Sequence, residues 1–303
     1  MSSSSLVSVD IDAQISPSAK RDRQFKTVAI VGVGLMGLMG GSLGMAILER
    51  GLADCVLGIG RNPEALIRAQ ERKAISRWSL GIADIREADL IILAVPVGSI
   101  SEILNSIEPY VDEDAIVTDL GSTKQTIVSE GEKLFGARFI GGHPMAGSEL
   151  SGIEAAHSDL YVGAAWAVVT SELPTENSGT NSDRIVRLAA ALGSRPVLLS
   201  ALDHDRLIAL VSHLPHILSF TFARTVGLSS DAELARSLGA GSYRDIMRVA
   251  ASDPVLWRDI FLDNRESVLE SLSWLEENLQ ILRNFIEQGN AEKLLEYIKL
   301  AGR

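Results

Sequence analysis

Five short stretches hold the residues whose types and spacing suit chemistry. The run TVAIVGVGLMG places Gly32, Gly34 and Gly37 in a G-x-G-x-x-G pattern, directly after a β-branched strand and at the start of a helical pattern. In that setting the first glycine permits a tight turn, the second lets the backbone approach a pyrophosphate, and the third allows close helix–strand packing. The helix start then offers unpaired N–H groups and a positive dipole end to phosphate. DLGSTK carries Ser122 and Lys124, and GGHPMAGSE carries His143. SHLPH carries His213 and His216, three apart and so on one helical face, and GSYRD carries Arg244. His143, beside Pro144 in a glycine-rich turn at a strand end, is better placed for chemistry than for packing. Lys124 either approaches a cofactor or only opens the next helix.

The elements that must position these groups follow from apolar patterning. From about Lys26 to Ser200, TVAIVG, CVLGIG, LIILAVP, AIVTDLG, ARFIGG, AAWAVVT and RPVLLS are continuous apolar runs, as strands buried on both faces require. Helical patterns fall between the early ones, one of them opened by Asn62 as cap and Pro63 at the first helical position. Alternating strands and helices predict an α/β fold with a Rossmann-like, doubly wound parallel sheet. Ligands on such a sheet sit beyond the carboxyl ends of the strands, which puts Gly34, Ser122 and His143 along one edge. After Ala201 the strands stop. One long helix with a kink at Pro215 and a second, opened by Asp253 and Pro254 and running on past residue 280, predict an all-helical second domain. The expected boundaries are a disordered tail over 1–25, a dinucleotide-binding domain over 26–200, and a helical substrate and dimerisation domain over 201–303. Within the second helix Val268, Leu272, Leu275, Leu279, Leu282 and Ile286 form a heptad seam, consistent with packing inside the domain or with a homodimer contact.

The 303 residues carry a formal charge of −11, which argues against non-specific binding to nucleic acid or an anionic membrane. No apolar run is expected to span a bilayer without polar interruption. The N-terminal stretch has no apolar core of a secretory signal. The single cysteine, Cys55, excludes an intrachain disulfide and fits a reducing, cytoplasmic compartment. No metal site is expected.

Two features bear on the cofactor. An NAD site places an acid at the end of the second strand to bind the ribose 2′-hydroxyl. Here that strand ends LGIGRNPE, with Gly60 in the acid's place and Arg61 next. A guanidinium without a competing carboxylate suits a 2′-phosphate, so NADP is expected. The triplet Leu-Met-Gly is repeated at 35–37 and 38–40. It allows two glycine registers, and the one abutting the strand, with the second triplet in the early helix, is preferred.

The motifs GGHPMAGSE, DLGSTK, SHLPH and GSYRD, in this order and after the glycine fingerprint, resemble the signatures of the prephenate/arogenate dehydrogenase family of tyrosine biosynthesis. The resemblance runs from about Lys26 to the C-terminus, and the repeated triplet and the N-terminal tail depart from it. It implies oxidative decarboxylation of arogenate or prephenate, with hydride transfer to nicotinamide and loss of CO2. It further implies that His143 accepts the substrate hydroxyl proton, with Ser122 orienting it or bonding the same hydroxyl. Arg244 would pair with a substrate carboxylate, and His213 and His216 would line the substrate side, His213 as a catalytic residue with His143 and Ser122, and His216 as a substrate-binding one. NADP preference within this family leans toward arogenate. A β-hydroxyacid dehydrogenase is the competing enzyme, but it would need a helical lysine where this chain offers histidines. A non-catalytic NADP sensor would have no need of His143, Ser122 and Arg244 together.

Overall fold

The computed structural model describes residues 24–32, 37–147, 152–170 and 181–301. The expected tail, apart from Gln24 and Phe25, lies outside these residues, as does Gly34. The chain forms β1 (Phe25–Val31), α1 (Gly37–Glu49), β2 (Ala53–Ile59), α2 (Pro63–Glu71), β3 (Arg77–Ser79), β4 (Leu90–Leu93), α3 (Val97–Ile107), β5 (Ile116–Asp119), α4 (Gln125–Phe135) and β6 (Phe139–Pro144). It continues with β7 (Ala165–Thr170), α5 (Asn181–Ala191) and β8 (Arg195–Ser200). The helices that follow are α6 (Ala201–Ile208), α7 (Leu214–Gly227), α8 (Ala232–Ser237), α9 (Gly241–Ala250), α10 (Pro254–Asp263), α11 (Arg265–Glu287) and α12 (Ala291–Ala301).

The eight strands form one sheet in the order β3-β2-β1-β4-β5-β6-β7-β8. All neighbours are parallel except β6 and β7. The central strands β4 and β5 are buried throughout; β4 is wholly apolar, while β5 ends in the buried polar residues Thr118 and Asp119. Order reverses about β1, the switch point at which dinucleotides bind in such sheets. Asn62 Oδ1 accepts the Ala65 N–H at 3.2 Å with Pro63 next in line, as its cap role predicts.

Two local features differ from what the sequence pattern predicts, and a third adds to it. His143 does not lie in a turn after its strand. It lies within β6, opposite Ala167, because the antiparallel ladder with β7 carries the strand past the last pair with β5, Thr118 and Ile140. The helix expected from residue 254 onward is two helices that break at Asn264. Next to Pro215, where a kink is expected, the helical run holds a π-turn over Ala209–His213, in which the Leu214 N–H reaches Ala209 O five residues back. Proline cannot donate a main-chain hydrogen bond, and a widened turn accommodates the gap in the ladder.

The chain divides into two compact units, one running to Asp205 and including Ser252–Asp263, the other comprising Arg206–Ala251 and Asn264 onward. The segment 252–263, expected in the helical domain, therefore belongs with the sheet. Its helix α10 packs on α3, and Thr123 donates its hydroxyl to Asp263 at 2.5 Å. In the second unit α7 packs on α9, with Phe222 edge-on to Tyr243, and α11 on α12, with Phe285 edge-on to Tyr297. Contrary to expectation, the helical run 201–227 is by length and composition apolar enough to cross a membrane. The same composition suits a helix face that meets another protein surface, and the first turns of this run carry Asp203, His204, Asp205 and Arg206.

Candidate active site

The glycine turn begins where β1 ends. Gly32 has φ +99°, and a Cβ there would lie 2.3 Å from Ala94 O, so only glycine fits. A Cβ on Gly37 would meet Ile153 N at 2.6 Å and Gly152 C at 2.9 Å. Gly37 is thus required by the 152–153 backbone rather than by a strand. Helix α1 opens at Gly37 with no acid in its first turn, so its N-terminal N–H groups and dipole suit a phosphate. The second Leu-Met-Gly triplet lies in that first turn, where Met39 O accepts the hydroxyl of buried Tyr161 at 2.7 Å. These features fit a dinucleotide. At the end of β2, Gly60 is half-buried and Arg61 exposed.

The loop after β5 is held from three sides. Asp119 Oδ1 accepts the Gly142 N–H of β6 at 3.1 Å, and its Oδ2 accepts the Gly121 N–H at 2.7 Å and the Lys124 ammonium at 2.6 Å. Lys124 Nζ donates also to Gly121 O and Thr123 O, both at 2.8 Å. Both side chains are fully buried. All three ammonium protons are thereby engaged, so Lys124 shapes the loop and offers no hydrogen to a cofactor or substrate. Ser122, half-buried, rides on this loop.

His143, on the neighbouring strand and half-buried, meets a second imidazole. Its Nδ1 lies 2.9 Å from Nε2 of His204 on α6. Nδ1 of His204 lies 2.7 Å from Asp205 Oδ1. The Asp205 carboxylate also caps α4, accepting the N–H of Lys124 at 2.8 Å and of Gln125 at 2.9 Å. Burial alone would raise the Asp205 carboxyl, but the bonds from His204 and the two main-chain donors outweigh it and hold it below the usual range. Burial pushes His204 below the ordinary imidazole value, and the Lys124 ammonium adds to this, against the opposing pull of Asp205. These influences favour the neutral form of His204. An Asp-His-Asp run at a helix start gives little notice of this, because Asp205 acts on a helix 81 residues earlier in the chain.

The second unit holds the other three site residues. His213, in the π-turn, is 1% exposed, with Nδ1 at 3.2 Å from Asn264 Nδ2. His216 is half-buried, its Nδ1 donating to Ser212 O at 2.9 Å, and burial lowers its basicity. Arg244, on the first turn of α9, is exposed and reaches Gly239 O at 3.4 Å. Among the described residues no ion pair joins Arg244 to Asp245. Among the described residues no three His, Cys, Asp or Glu side chains form a metal-binding group.

Residues 43–195 match the model of the prephenate dehydrogenase nucleotide-binding domain, and residues 200–300 that of the prephenate dehydrogenase dimerization domain. The chain belongs to the prephenate dehydrogenase family. The prephenate dehydrogenase of Bacillus subtilis (strain 168) is 32% identical over 272 residues, covering 88% of this chain and 72% of that one. The crystal structure of Aquifex aeolicus prephenate dehydrogenase in complex with hydroxyphenyl propionate and NAD+ is similar at a TM-score of 0.82, with 34% identity over 91% of this chain and 96% of that one. Synechocystis arogenate dehydrogenase is similar at a TM-score of 0.76, with 28% identity over 91% and 97%. Proteins similar to this chain are thus named for either substrate.

Proposed function

We propose that this chain is an NADP-dependent arogenate or prephenate dehydrogenase. The observation that carries this reading is His143 in β6, beside the strand whose loop holds Ser122, in the sheet whose switch point is the glycine turn. The nicotinamide, when bound, supplies the hydride acceptor. The hydride leaves the ring carbon that bears the hydroxyl, and His143 takes the hydroxyl proton. The ring carboxylate then leaves as CO2, its bonding electrons pass through the ring to the ring oxygen as the ring becomes aromatic, and that oxygen recovers the proton from His143. The product is tyrosine from arogenate or 4-hydroxyphenylpyruvate from prephenate. Ser122 bonds the same hydroxyl, Arg244 pairs with a substrate carboxylate, and His213 and His216 shape the substrate side. The orienting role over His143 falls to His204 rather than to Ser122.

Gly60 and Arg61 support NADP over NAD, and with it arogenate over prephenate. Steady-state reduction of each nicotinamide with L-arogenate, prephenate and a 3-hydroxy acid tests the whole reading. The expected result is highest kcat/KM for NADP with arogenate. Activity with the 3-hydroxy acid alone would favour the competing dehydrogenase, and binding of NADP without turnover would favour a sensor. A Cβ at Gly60 would meet only the Leu66 side chain, at 3.3–3.6 Å, so Gly60→Asp is sterically tolerable. It should shift preference toward NAD by setting a carboxylate against the ribose. Equal efficiency of the wild type with NAD and NADP would overturn the assignment.

The helical unit supports a homodimer. The α11 seam is buried at Val268 but emerges toward its end, with Leu279 50% and Ile286 60% exposed. Leu228, Leu234 and Leu238 add further exposed apolar surface, of a kind that marks interaction sites. Light scattering at micromolar concentration should give about twice 32.5 kDa. A monomer mass would mean that this surface stays in water.

A further inference from the structure

We propose that His204 and Asp205 are positioning residues that fix the tautomer of His143, so that Nε2 of His143 is the atom that takes the substrate proton. The proposal rests on His143 being the base, but its physical content is a statement about protons that can be read without substrate.

The direction of the chain of bonds is set at its far end. Main-chain N–H groups only donate, and those of Lys124 and Gln125 point at the two oxygens of Asp205. Asp205 therefore acts as an acceptor at both oxygens, and His204 must donate to it from Nδ1. A neutral imidazole carries one proton, so Nε2 of His204 presents a lone pair. The 2.9 Å contact with His143 then requires that His143 donate from Nδ1. Neutral His143 in turn carries its own lone pair at Nε2. Each step follows from the one before, and the first is fixed by backbone.

The alternative is a charged His204. It would donate from both nitrogens, force His143 to accept at Nδ1, and leave a proton on His143 Nε2, where it would block base action. The surroundings oppose that state. His204 is fully buried, and among the described residues the charged groups that face it are Asp205 on α6, Lys124 just before α4 and Asp119 at the end of β5. Lys124 and Asp119 form their own ion pair, so the Asp205 charge is the one left facing His204, and the desolvation cost exceeds its attraction. When His143 takes a proton, its Nδ1–H stays bonded to His204. The imidazolium then gains from the Asp205 charge across a neutral ring. No proton passes to Asp205, in keeping with the role of the carboxylate in Ser-His-Asp triads.

The test is two-bond 1H–15N spectroscopy of the full chain labelled at histidine, at neutral to mildly alkaline pH, with His143→Asn and His204→Gln used to assign the two rings. Both rings should be neutral, protonated at Nδ1 and unprotonated at Nε2. A proton on Nε2 of His143, or a charged His204, would overturn the proposal, whatever the enzyme's substrate proves to be. A kinetic arm uses His204→Leu, which removes the acceptor, and His204→Gln, whose amide oxygen restores one. Loss of a group that orients a reactive imidazole typically costs on the order of 10–10²-fold. His204→Leu should lose kcat on that scale with NADP affinity unchanged, and His204→Gln should recover most of it. A His204→Leu enzyme with wild-type kcat, or a glutamine variant as impaired as the leucine one, would count against positioning through this hydrogen bond.

Discussion

Replacing His143 with Asn should lower kcat by about 10²–10⁴-fold, the usual cost of losing a general base. That corresponds to a barrier higher by about 3–5 kcal/mol. Asparagine has an N–H that can reach toward His204 and so preserves the contact that holds this part of β6, but it has no lone pair basic enough to take a proton. The position is half-buried at the end of a strand, so thermal stability should change little, and the glycine turn proposed to hold the nicotinamide cofactor is untouched. Direct NADP titration and a melting curve beside the kinetics separate chemistry from folding. The pH profile adds a second readout. As pH falls, the wild-type imidazole takes a proton at the atom that must accept the substrate's, so kcat/KM must decline on the acid side. The variant, already without the base, should lack a decline of that origin. A His143→Asn enzyme with wild-type kcat would place the base elsewhere.

Arg244→Ala should act in the opposite sense, on KM rather than kcat. The guanidinium is exposed, its described side-chain bond is a long one to Gly239 O, and Gly239 is kept small by the ring of Tyr243, whose atoms lie 2.3 Å from where a Cβ would stand. The start of α9 is thus braced while the charge it presents has donors to give. A hydrogen bond to a charged group is worth roughly 1.5–3 kcal/mol, so losing the pairing with a substrate carboxylate should raise KM by about 10–100-fold. Arg244→Lys keeps the charge but not the planar fork and should fall between. Because the side chain is in water, neither change should move the melting temperature. An unchanged KM in Arg244→Ala would remove this residue from the substrate contacts.

The strands were legible because a sheet buried on both faces favours apolar residues, and β4 and the end of β1 read as solid apolar runs. Strand β3 was not, because three residues with an arginine at their head make an edge strand without a pattern. The break at Asn264 was hidden by apolar spacing that continues on both sides of it. The glycine turn, Ser122 and His143 stood out because each sits at a strand end in a local motif. His204 and Asp205 did not, because their meaning comes from partners on β6 and α4 that only the folded sheet brings near. Lys124 was ambiguous in sequence for the same reason. Two of its three acceptors are main-chain carbonyls of the loop around it, and the third is the side chain of Asp119, the last residue of β5.

The return of 252–263 to the sheet unit has a consequence for modularity. The chain passes between its two units three times, after Asp205, after Ala251 and after Asp263. No single cut yields two intact pieces, since a fragment ending at Asp205 would lack α10 and with it the acceptor for Thr123. The helical unit is therefore not a cassette that could be exchanged at one junction. A recombination event that grafts a new helical half onto this sheet must also supply a helix that fits α3, or it leaves that face of the sheet unit uncovered. Diversification in this architecture is thus channelled toward point changes within each unit and toward additions at the two chain ends.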